Sequence, residues 1–366
     1  MSNSNKDNQV AEQKPIRQEQ EAASEEVTEI ASGIYRLQLP VSMPGLGHVN
    51  CYALEDSKGI ALVDPGLPGN ESWDALKKRL KDLGVRLEHV HTAIVTHSHV
   101  DHYGGFHRLR DEYETELLTH SSFSSVFGAD DVMENQDAAS LDLADDEDIE
   151  ILREMLSRPT PWGTNREPPS VAELRQWSGT HSGADSKSFQ VPQPSLTIED
   201  SEEIVFAERT WLALHLPGHT HDHLCLYDPL DGLFLSGDHV LPTITPHIGG
   251  MGIMEDPLAT FFYSLERTKE LSNVKLVLPA HGHPFHDLAG RADHIIDHHV
   301  ERLEIIREAG VEMGEASVEE HMQRLFKQRS WGDMAASETY AHLEHLRLRG
   351  EAASLENKGK KTYKFA

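Results

Sequence analysis

Short apolar stretches at strand-like spacing dominate the chain up to about residue 280. Residues 34–39 alternate between apolar and polar side chains, which predicts a half-buried strand. Continuous apolar runs follow, and each stops at a glycine, a proline or a polar residue, as is typical of buried strands. Between the first runs, apolar residues repeat at helical spacing over 71–83 and predict an amphipathic helix. The runs lie at 60–63, 92–95, 211–216, 233–235 and 274–278.

Three regions depart from this strand pattern. Residues 1–28 are polar and acidic with few apolar side chains, which predicts a disordered tail. Residues 121–194 are acidic and rich in proline, with one clear helix near 148–156, and we interpret them as a lid-like insertion in a domain spanning 29–290. From 291 to 366 helical spacing predominates and ends in a basic hairpin pattern around 357–365. This last region is predicted to be a small helical module.

Composition narrows the class of protein. The 366 residues leave room for one large domain with an appendage, and the formal charge of -28 indicates an acidic surface that repels nucleic acid and anionic membranes. No apolar stretch approaches the roughly 20 residues of a membrane span, and residues 1–30 contain no apolar leader segment. Only Cys51 and Cys225 occur, far apart, so no disulfide is expected. We therefore predict a cytoplasmic protein.

A dense group of metal-binding side chains follows the second apolar run. Residues 96–105 read Thr-His-Ser-His-Val-Asp-His-Tyr-Gly-Gly, and this segment contains His97, His99, Asp101 and His102. Imidazoles and a carboxylate suit zinc first, with iron and manganese as alternatives. Two histidines at i and i+2 lie on the same side of an extended segment. Asp101 and His102 follow as the chain turns, where they are placed to face a second metal.

Further candidate ligands stand at the ends of other apolar runs. His219 follows a Pro-Gly turn, Asp238 follows a Ser-Gly pair, and His281 follows Pro279-Ala280. Asp64 ends the earlier run at 60–63. Each of these signals is weak alone, because strand-then-glycine turns are common. Together, in this order, they predict a metal centre assembled from strand ends.

This ordered set resembles the metallo-β-lactamase-fold hydrolase superfamily, over roughly residues 30 to 290. The resemblance implies an α+β fold, a four-layered αβ/βα sandwich with the metals at one edge. It implies two divalent ions, with Asp238 bridging them and Asp64 orienting the histidine ligands. The implied ligands of the first ion are His97, His99 and His219, and those of the second are Asp101, His102 and His281.

The full ligand pattern is most similar to the glyoxalase II, lactonase and nuclease branches of that superfamily, rather than to secreted antibiotic-degrading members. A water activated between two divalent ions is then the nucleophile, and Asp101 is expected to orient it and relay a proton to the leaving group. We expect a small acyl substrate, a thioester, lactone or related ester. The alternative is cleavage of RNA or single-stranded DNA, which the acidic composition disfavours. A non-enzymatic metal-bound sensor or redox scaffold is a third interpretation.

Two other histidines are candidates for the surroundings of the metals. His239 follows Asp238 and is expected to approach the site from behind the ligands. His247 lies on the loop beyond, where it is a candidate for polarising a substrate carbonyl. The C-terminal helices and basic hairpin resemble a winged-helix module. A structural cap or a homodimer contact is a better interpretation of that module than nucleic-acid binding, because its four lysines form only a thin basic patch.

Overall fold

Two mixed β-sheets lie at the centre of this computed structural model, which describes residues 17–43, 45–128, 136–139, 141–143, 145–178 and 189–365. The seven-stranded sheet has the order β1 to β7, and the five-stranded sheet has the order β12-β11-β10-β9-β8. The strands of the first sheet are β1 Thr28–Ala31, β2 Ile34–Met43, β3 Leu46–Asp56, β4 Gly59–Val63, β5 Val90–Ile94, β6 Glu116–His120 and β7 Leu196–Ile198. Those of the second are β8 Glu203–Phe206, β9 Arg209–His215, β10 Leu224–Asp228, β11 Leu233–Gly237 and β12 Leu276–Pro279.

Helices cover the outer faces of both sheets. The helices before the insertion are α1 Asn70–Asp82, α2 Val100–Tyr103 and α3 Phe106–Tyr113. Those of the insertion are α4 Gln136–Ala139, α5 Asp146–Leu156 and α6 Val171–Ser178, and those after it are α7 Pro257–Lys269, α8 Leu288–Met313, α9 Val318–Leu325 and α10 Asp333–Leu348. No helix in the described ranges is both long enough and apolar enough to cross a membrane.

The packing of these elements produces four layers. Side chains such as Leu54 and Val63 from the first sheet meet Trp211 and Leu226 from the second sheet in one buried cluster. A second cluster joins α1 and α3 to the other face of the first sheet. A third joins α7 and α8 to the other face of the second sheet. The predicted α+β sandwich is therefore confirmed, and the amphipathic pattern over 71–83 corresponds to α1.

The N-terminal segment corrects one expectation. Residues 1–16 lie outside the described residues, but the prediction of disorder is wrong for residues 17–28. The carboxylate of Glu19 is fully buried and accepts hydrogen bonds from the backbone N–H groups of Thr243 and Ile244. Glu21 contributes its carbonyl oxygen to the ring of His48 at 2.8 Å. These polar contacts, made to a loop and a strand distant in sequence, order a segment with few apolar anchors.

The insertion lies between the adjacent parallel strands β6 and β7 and builds a small core of its own from residues such as Ile149, Leu152 and Leu174. Its start touches the loops beyond β9 and β11, where Ser124 Oγ lies 2.9 Å from His221 Nε2 and Ile253 N donates to the Val126 carbonyl. Of the large apolar side chains in the insertion, Trp162 is buried in the core cluster that it shares with α8 and α10, so it is a packing residue. Two others, Met133 and the side chain of Trp177, lie outside the described residues.

The C-terminal region continues the core of the second sheet. After α8 come β13 Glu315–Ser317, α9, α10 and the hairpin β14 Ala352–Asn357 and β15 Lys360–Phe365, with the sheet order β13-β15-β14. This helix, strand, helix, helix and hairpin order is that of a winged helix. However, α8 begins at Leu288, and its core side chains share one cluster with α7 and the second sheet. The predicted boundary at 291 therefore falls inside a helix, and packing is continuous across it.

Candidate metal centre

Parallel strands bring the candidate ligands to one edge of the sandwich. β4 and β5 are parallel neighbours in the first sheet, and β11 and β12 are parallel neighbours in the second. Their carboxyl ends therefore meet at the same edge, where loops present the segments containing Asp64, His97, Asp238 and His281. The Pro217-Gly218 turn after β9 adds His219. Gly218 has φ of +142°, and a Cβ there would lie 2.5 Å from the Cα of Phe261, so only glycine fits this turn.

Three imidazoles form the first group, which we call the histidine half: His97, His99 and His219. The Nδ1 atom of His99 lies 3.0 Å from Nε2 of His97 and 3.1 Å from Nε2 of His219. The other nitrogen of His97 faces the Thr96 hydroxyl at 3.0 Å, and that of His219 donates to the carbonyl of His247 at 2.8 Å. The Nε2 atoms of His97 and His219 therefore carry lone pairs, and both atoms face Nδ1 of His99.

The second group, which we call the carboxylate half, consists of Asp101, His102 and His281. Oδ2 of Asp101 lies 3.7 Å from His102 Nε2 and 3.5 Å from His281 Nε2. His281 donates from Nδ1 to the carbonyl of His48 at 2.6 Å, so its Nε2 faces the site. All three side chains are buried.

Asp238 lies between the two halves. Its Oδ2 is 3.6 Å from Nε2 of His219 in the histidine half, and its Oδ1 is 3.4 Å from Nε2 of His281 in the carboxylate half. Its backbone N–H donates to Nε2 of the buried His223 at 3.0 Å. This is the placement expected of a carboxylate that touches two ions.

Asp64 holds both halves in position from behind. One oxygen accepts the backbone N–H of Thr96, and the other accepts the Thr96 hydroxyl and Nδ1 of His102, at 2.9 to 3.0 Å. Asp64 has φ of +54°, a conformation unfavourable for a non-glycine residue. Such strain, where surrounding structure maintains it, is characteristic of functional sites.

Protonation differs between the halves. Burial and neighbouring histidines lower the pKa of His97 well below its usual value, and burial lowers that of His99 to about 3. Burial also lowers the pKa of His102, but the carboxylates of Asp101, Asp64 and Asp238 outweigh it and raise this pKa well above normal. For Asp101, burial opposes ionisation, yet His102 and His281 bring its pKa to about 2.

The side chains at this edge fit divalent ions. Among the described residues, His102 Nε2, His281 Nε2 and Asp238 Oδ1 are buried atoms without a hydrogen-bond partner. Buried polar atoms are ordinarily satisfied, and buried charges are paired or bind metal. Here the unpartnered atoms point into the group of ligands that the sequence predicts, and all seven predicted ligands come together. Imidazole nitrogens and carboxylate oxygens are a donor set typical of zinc.

The other predicted residues have different positions. His239 places Nε2 2.7 Å from the Thr268 hydroxyl of α7 and packs on Phe261, so it joins the Asp238 turn to α7. His247 contributes its backbone carbonyl to His219, while its ring faces Glu338. The sequence analysis did not identify His48, whose carbonyl accepts from His281, or Glu338, which faces His247, because neither lies in a motif. It also did not identify Thr96, whose hydroxyl faces His97. The position of Thr96 directly before His97 was the signal that could have identified it.

Comparison with known proteins assigns the family. Residues 44–313 match the family described as the metallo-beta-lactamase superfamily. The chain belongs to this superfamily. Together with the residues at the sheet edge, membership identifies the protein as a metal-dependent hydrolase.

Individual relatives align with this chain over between about half and nearly all of its length. The chain is 25% identical over 269 residues to a probable metallo-hydrolase YqjP of Bacillus subtilis, covering 72% of this chain and 76% of that protein. It is 26% identical over 200 residues to the acyl-coenzyme A thioesterase MBLAC2 of Gallus gallus, covering 53% of this chain and 57% of that one. The solved structure of the metallo-beta-lactamase family protein TTHA1429 from Thermus thermophilus is 27% identical, with a TM-score of 0.66 over 92% of this chain and all of that one.

Proposed function

We propose that this hydrolase binds two divalent ions, zinc first, and cleaves small acyl substrates, with thioesters as the leading class. The observation that carries the proposal is the convergence of seven candidate ligands, three of which, His102, Asp238 and His281, present a buried inward atom without a hydrogen-bond partner. The histidine half would hold one ion, the carboxylate half would hold the other, and Asp238 would contact both. Ions bound in this way lower the pKa of water and polarise a carbonyl oxygen.

The protein's own groups prepare this chemistry. Because His219 and His281 donate from Nδ1 to backbone carbonyls, each ring keeps its Nε2 lone pair toward the site. Asp101 is ionised at neutral pH, since its pKa is about 2. Its carboxylate would accept the proton that the attacking water loses and would return that proton to the departing thiolate or alkoxide. No serine or cysteine nucleophile is required, and both cysteines are free and buried.

Three observations favour an acyl substrate over nucleic acid. One relative is a named acyl-coenzyme A thioesterase. The formal charge of -28 opposes the approach of a polyanion. In the basic hairpin, Lys361 is already engaged, because its Nζ donates to the Tyr340 hydroxyl at 3.0 Å and lies 3.4 Å from Glu344.

The test is a matched panel of acyl-CoA thioesters, lactones and aryl esters, beside RNA and single-stranded DNA. We expect hydrolysis of thioesters or lactones that is abolished by chelation and falls at least about 100-fold in Asp101→Asn, the scale of general acid–base catalysis. Asp111→Asn, on the exposed face of α3, is the control and should behave as the wild type. Nucleic-acid cleavage without acyl hydrolysis would overturn the proposal.

A further inference from the structure

The loop between β11 and α7 holds one of the candidate ligands through its backbone. His247 lies on this loop, and its carbonyl accepts Nδ1–H of His219 at 2.8 Å. That bond fixes the tautomer and the orientation of the His219 ring. Groups that hold a ligand in this way typically change metal affinity by about 10- to 100-fold when they are removed. The position of the His247 backbone therefore matters to the histidine half.

Helix α10 in turn holds this loop at two points. At the first, Oε2 of Glu338 lies 3.5 Å from Nδ1 of His247. At the second, the N–H of Gly250 donates to the hydroxyl and the carbonyl of Ser337, at 3.1 and 3.2 Å. A Cβ at Gly250 would lie 2.6 Å from the ring of Tyr340, so the loop lies directly against the helix.

Glu338 is itself fixed in place. Its side chain is 13% exposed, and its second oxygen lies 3.2 Å from the guanidinium of Arg302 on α8. Burial opposes ionisation, but His247 and Arg302 hold the pKa of Glu338 well below its usual value. The carboxylate is thus a charged anchor between two C-terminal helices and the His247 loop.

We infer that Glu338 is a positioning residue for the metal centre: it fixes His247, whose backbone carbonyl orients His219. This inference rests on the proposed metal centre and extends it, since it assigns the C-terminal helices a part in metal binding. Glu338 acts on the histidine half, because His219 belongs to that half. In the carboxylate half, His102 is held by Asp64 and His281 by the carbonyl of His48.

Glu338 also lies near His299 and His342, and these three side chains are close enough to hold an ion themselves. Two contacts argue against that use. Arg302 already neutralises Glu338, and Nδ1 of His299 lies 3.1 Å from Nε2 of His342, as in a hydrogen bond between two neutral rings. The experiment below separates the two interpretations.

The test compares Glu338→Gln with Glu344→Gln. Glu344 lies on the same helix but faces the hairpin, where it bonds Tyr363 and Lys361. Metal affinities are measured with zinc and cobalt against a chromophoric chelator, together with the cobalt absorption spectrum, unfolding temperature, and kcat and KM on the substrate identified by the panel. We expect Glu338→Gln to weaken one of two metal equivalents by about 10- to 100-fold and to change the cobalt spectrum. Glu344→Gln should change neither, whatever its effect on unfolding temperature.

A double-mutant cycle distinguishes a positioning role of Glu338 from a simple folding defect. His247→Ala removes the ring but keeps the carbonyl, so it should weaken the same equivalent. The double variant His247→Ala/Glu338→Gln should be no weaker than the worse single variant. If a folded Glu338→Gln protein binds two ions with unchanged affinity, the inference about Glu338 is overturned and the proposed function is not. A wild-type protein that binds no ion would overturn the proposed function. Loss of the same equivalent in His299→Ala would overturn the inference by making the His299 cluster the metal site.

Discussion

The two halves of the candidate metal centre differ in charge although they lie against each other. The histidine half offers three imidazoles whose pKa values are held low by burial, and it is neutral. The carboxylate half combines Asp101 with two histidines whose pKa values are raised by acidic neighbours. Imidazole donors favour zinc and copper, whereas carboxylates admit harder ions such as manganese. The difference predicts that the two positions respond unequally to metal, mutation and pH.

The largest effect is expected at Asp238, whose two carboxylate oxygens face one ligand in each half. Asp238→Ala should lose both ions and all detectable hydrolysis, because each half loses a ligand and the remaining charge no longer balances a pair of dications. Elemental analysis of protein purified without chelator measures this directly. A fully metallated and active variant would contradict the bridging role.

Single-ligand variants should separate the halves. His219→Ala should retain one ion in the carboxylate half, and His281→Ala should retain one in the histidine half. The ion kept by His219→Ala should exchange for manganese more readily, because Asp101 and Asp238 supply oxygen donors there. Competition between zinc and manganese, followed by elemental analysis, tests the contrast. Equal preferences in both variants would show that the halves are not chemically distinct.

Asp64 should matter less than any ligand but affect the carboxylate half most. Asp64→Asn replaces an oxygen acceptor with an amide, so the bonds from Thr96 and His102 are no longer all satisfied. We expect metal affinity to fall by about 10- to 100-fold. Asp56→Asn, at the end of β3, serves as the control and should leave affinity unchanged. Chelator competition gives both numbers.

The smallest effect is a pH dependence of stability in the metal-free protein. His99 has a folded pKa of about 3, so the unfolded chain binds more protons below pH 6.5, and its contribution to stability falls as the pH drops from 6.5 toward 3. His102 has a raised pKa, so its stabilisation is present below 6.5 and is lost as the pH rises through the folded value. His99→Gln should therefore reduce acid destabilisation, and His102→Gln should reduce the loss at alkaline pH. Melting curves of metal-free protein between pH 4.5 and 9 would show both, and parallel curves would contradict the assignment.

The ligands were predictable because the short segments that carry them follow strands marked by continuous apolar residues. His97, Asp238 and His281 follow such runs, and parallel strands place their ends at one edge. Residues that hold the ligands gave no comparable signal. Glu338 and His247 are 91 positions apart in sequence, and their contact depends on how α10 packs against a loop. The local sequence pattern around either residue does not indicate how α10 packs against that loop.

The N-terminal segment illustrates the same limit. Its polar composition favours disorder when hydrophobic burial is the only source of order considered. In the structure, Glu19 is ordered by backbone N–H groups from residues 243 and 244, and Glu21 by His48. Such hydrogen bonds form only after segments distant in sequence have been brought together. A prediction of order from apolar composition therefore fails for residues 17–28, whereas it succeeds for the strands, which are apolar.

The division of the ligands between the two sheets has a consequence for biosynthesis. Four ligands lie between His97 and His102, whereas His219, Asp238 and His281 are translated later. At typical rates of about 5–20 residues per second, roughly 10 to 40 s separate the synthesis of His102 and His281. The helix that carries Glu338 emerges later still. A ribosome-bound chain that has not yet reached His281 therefore has an incomplete set of the candidate donors, and the proposed two-ion site would be complete only after that residue is made.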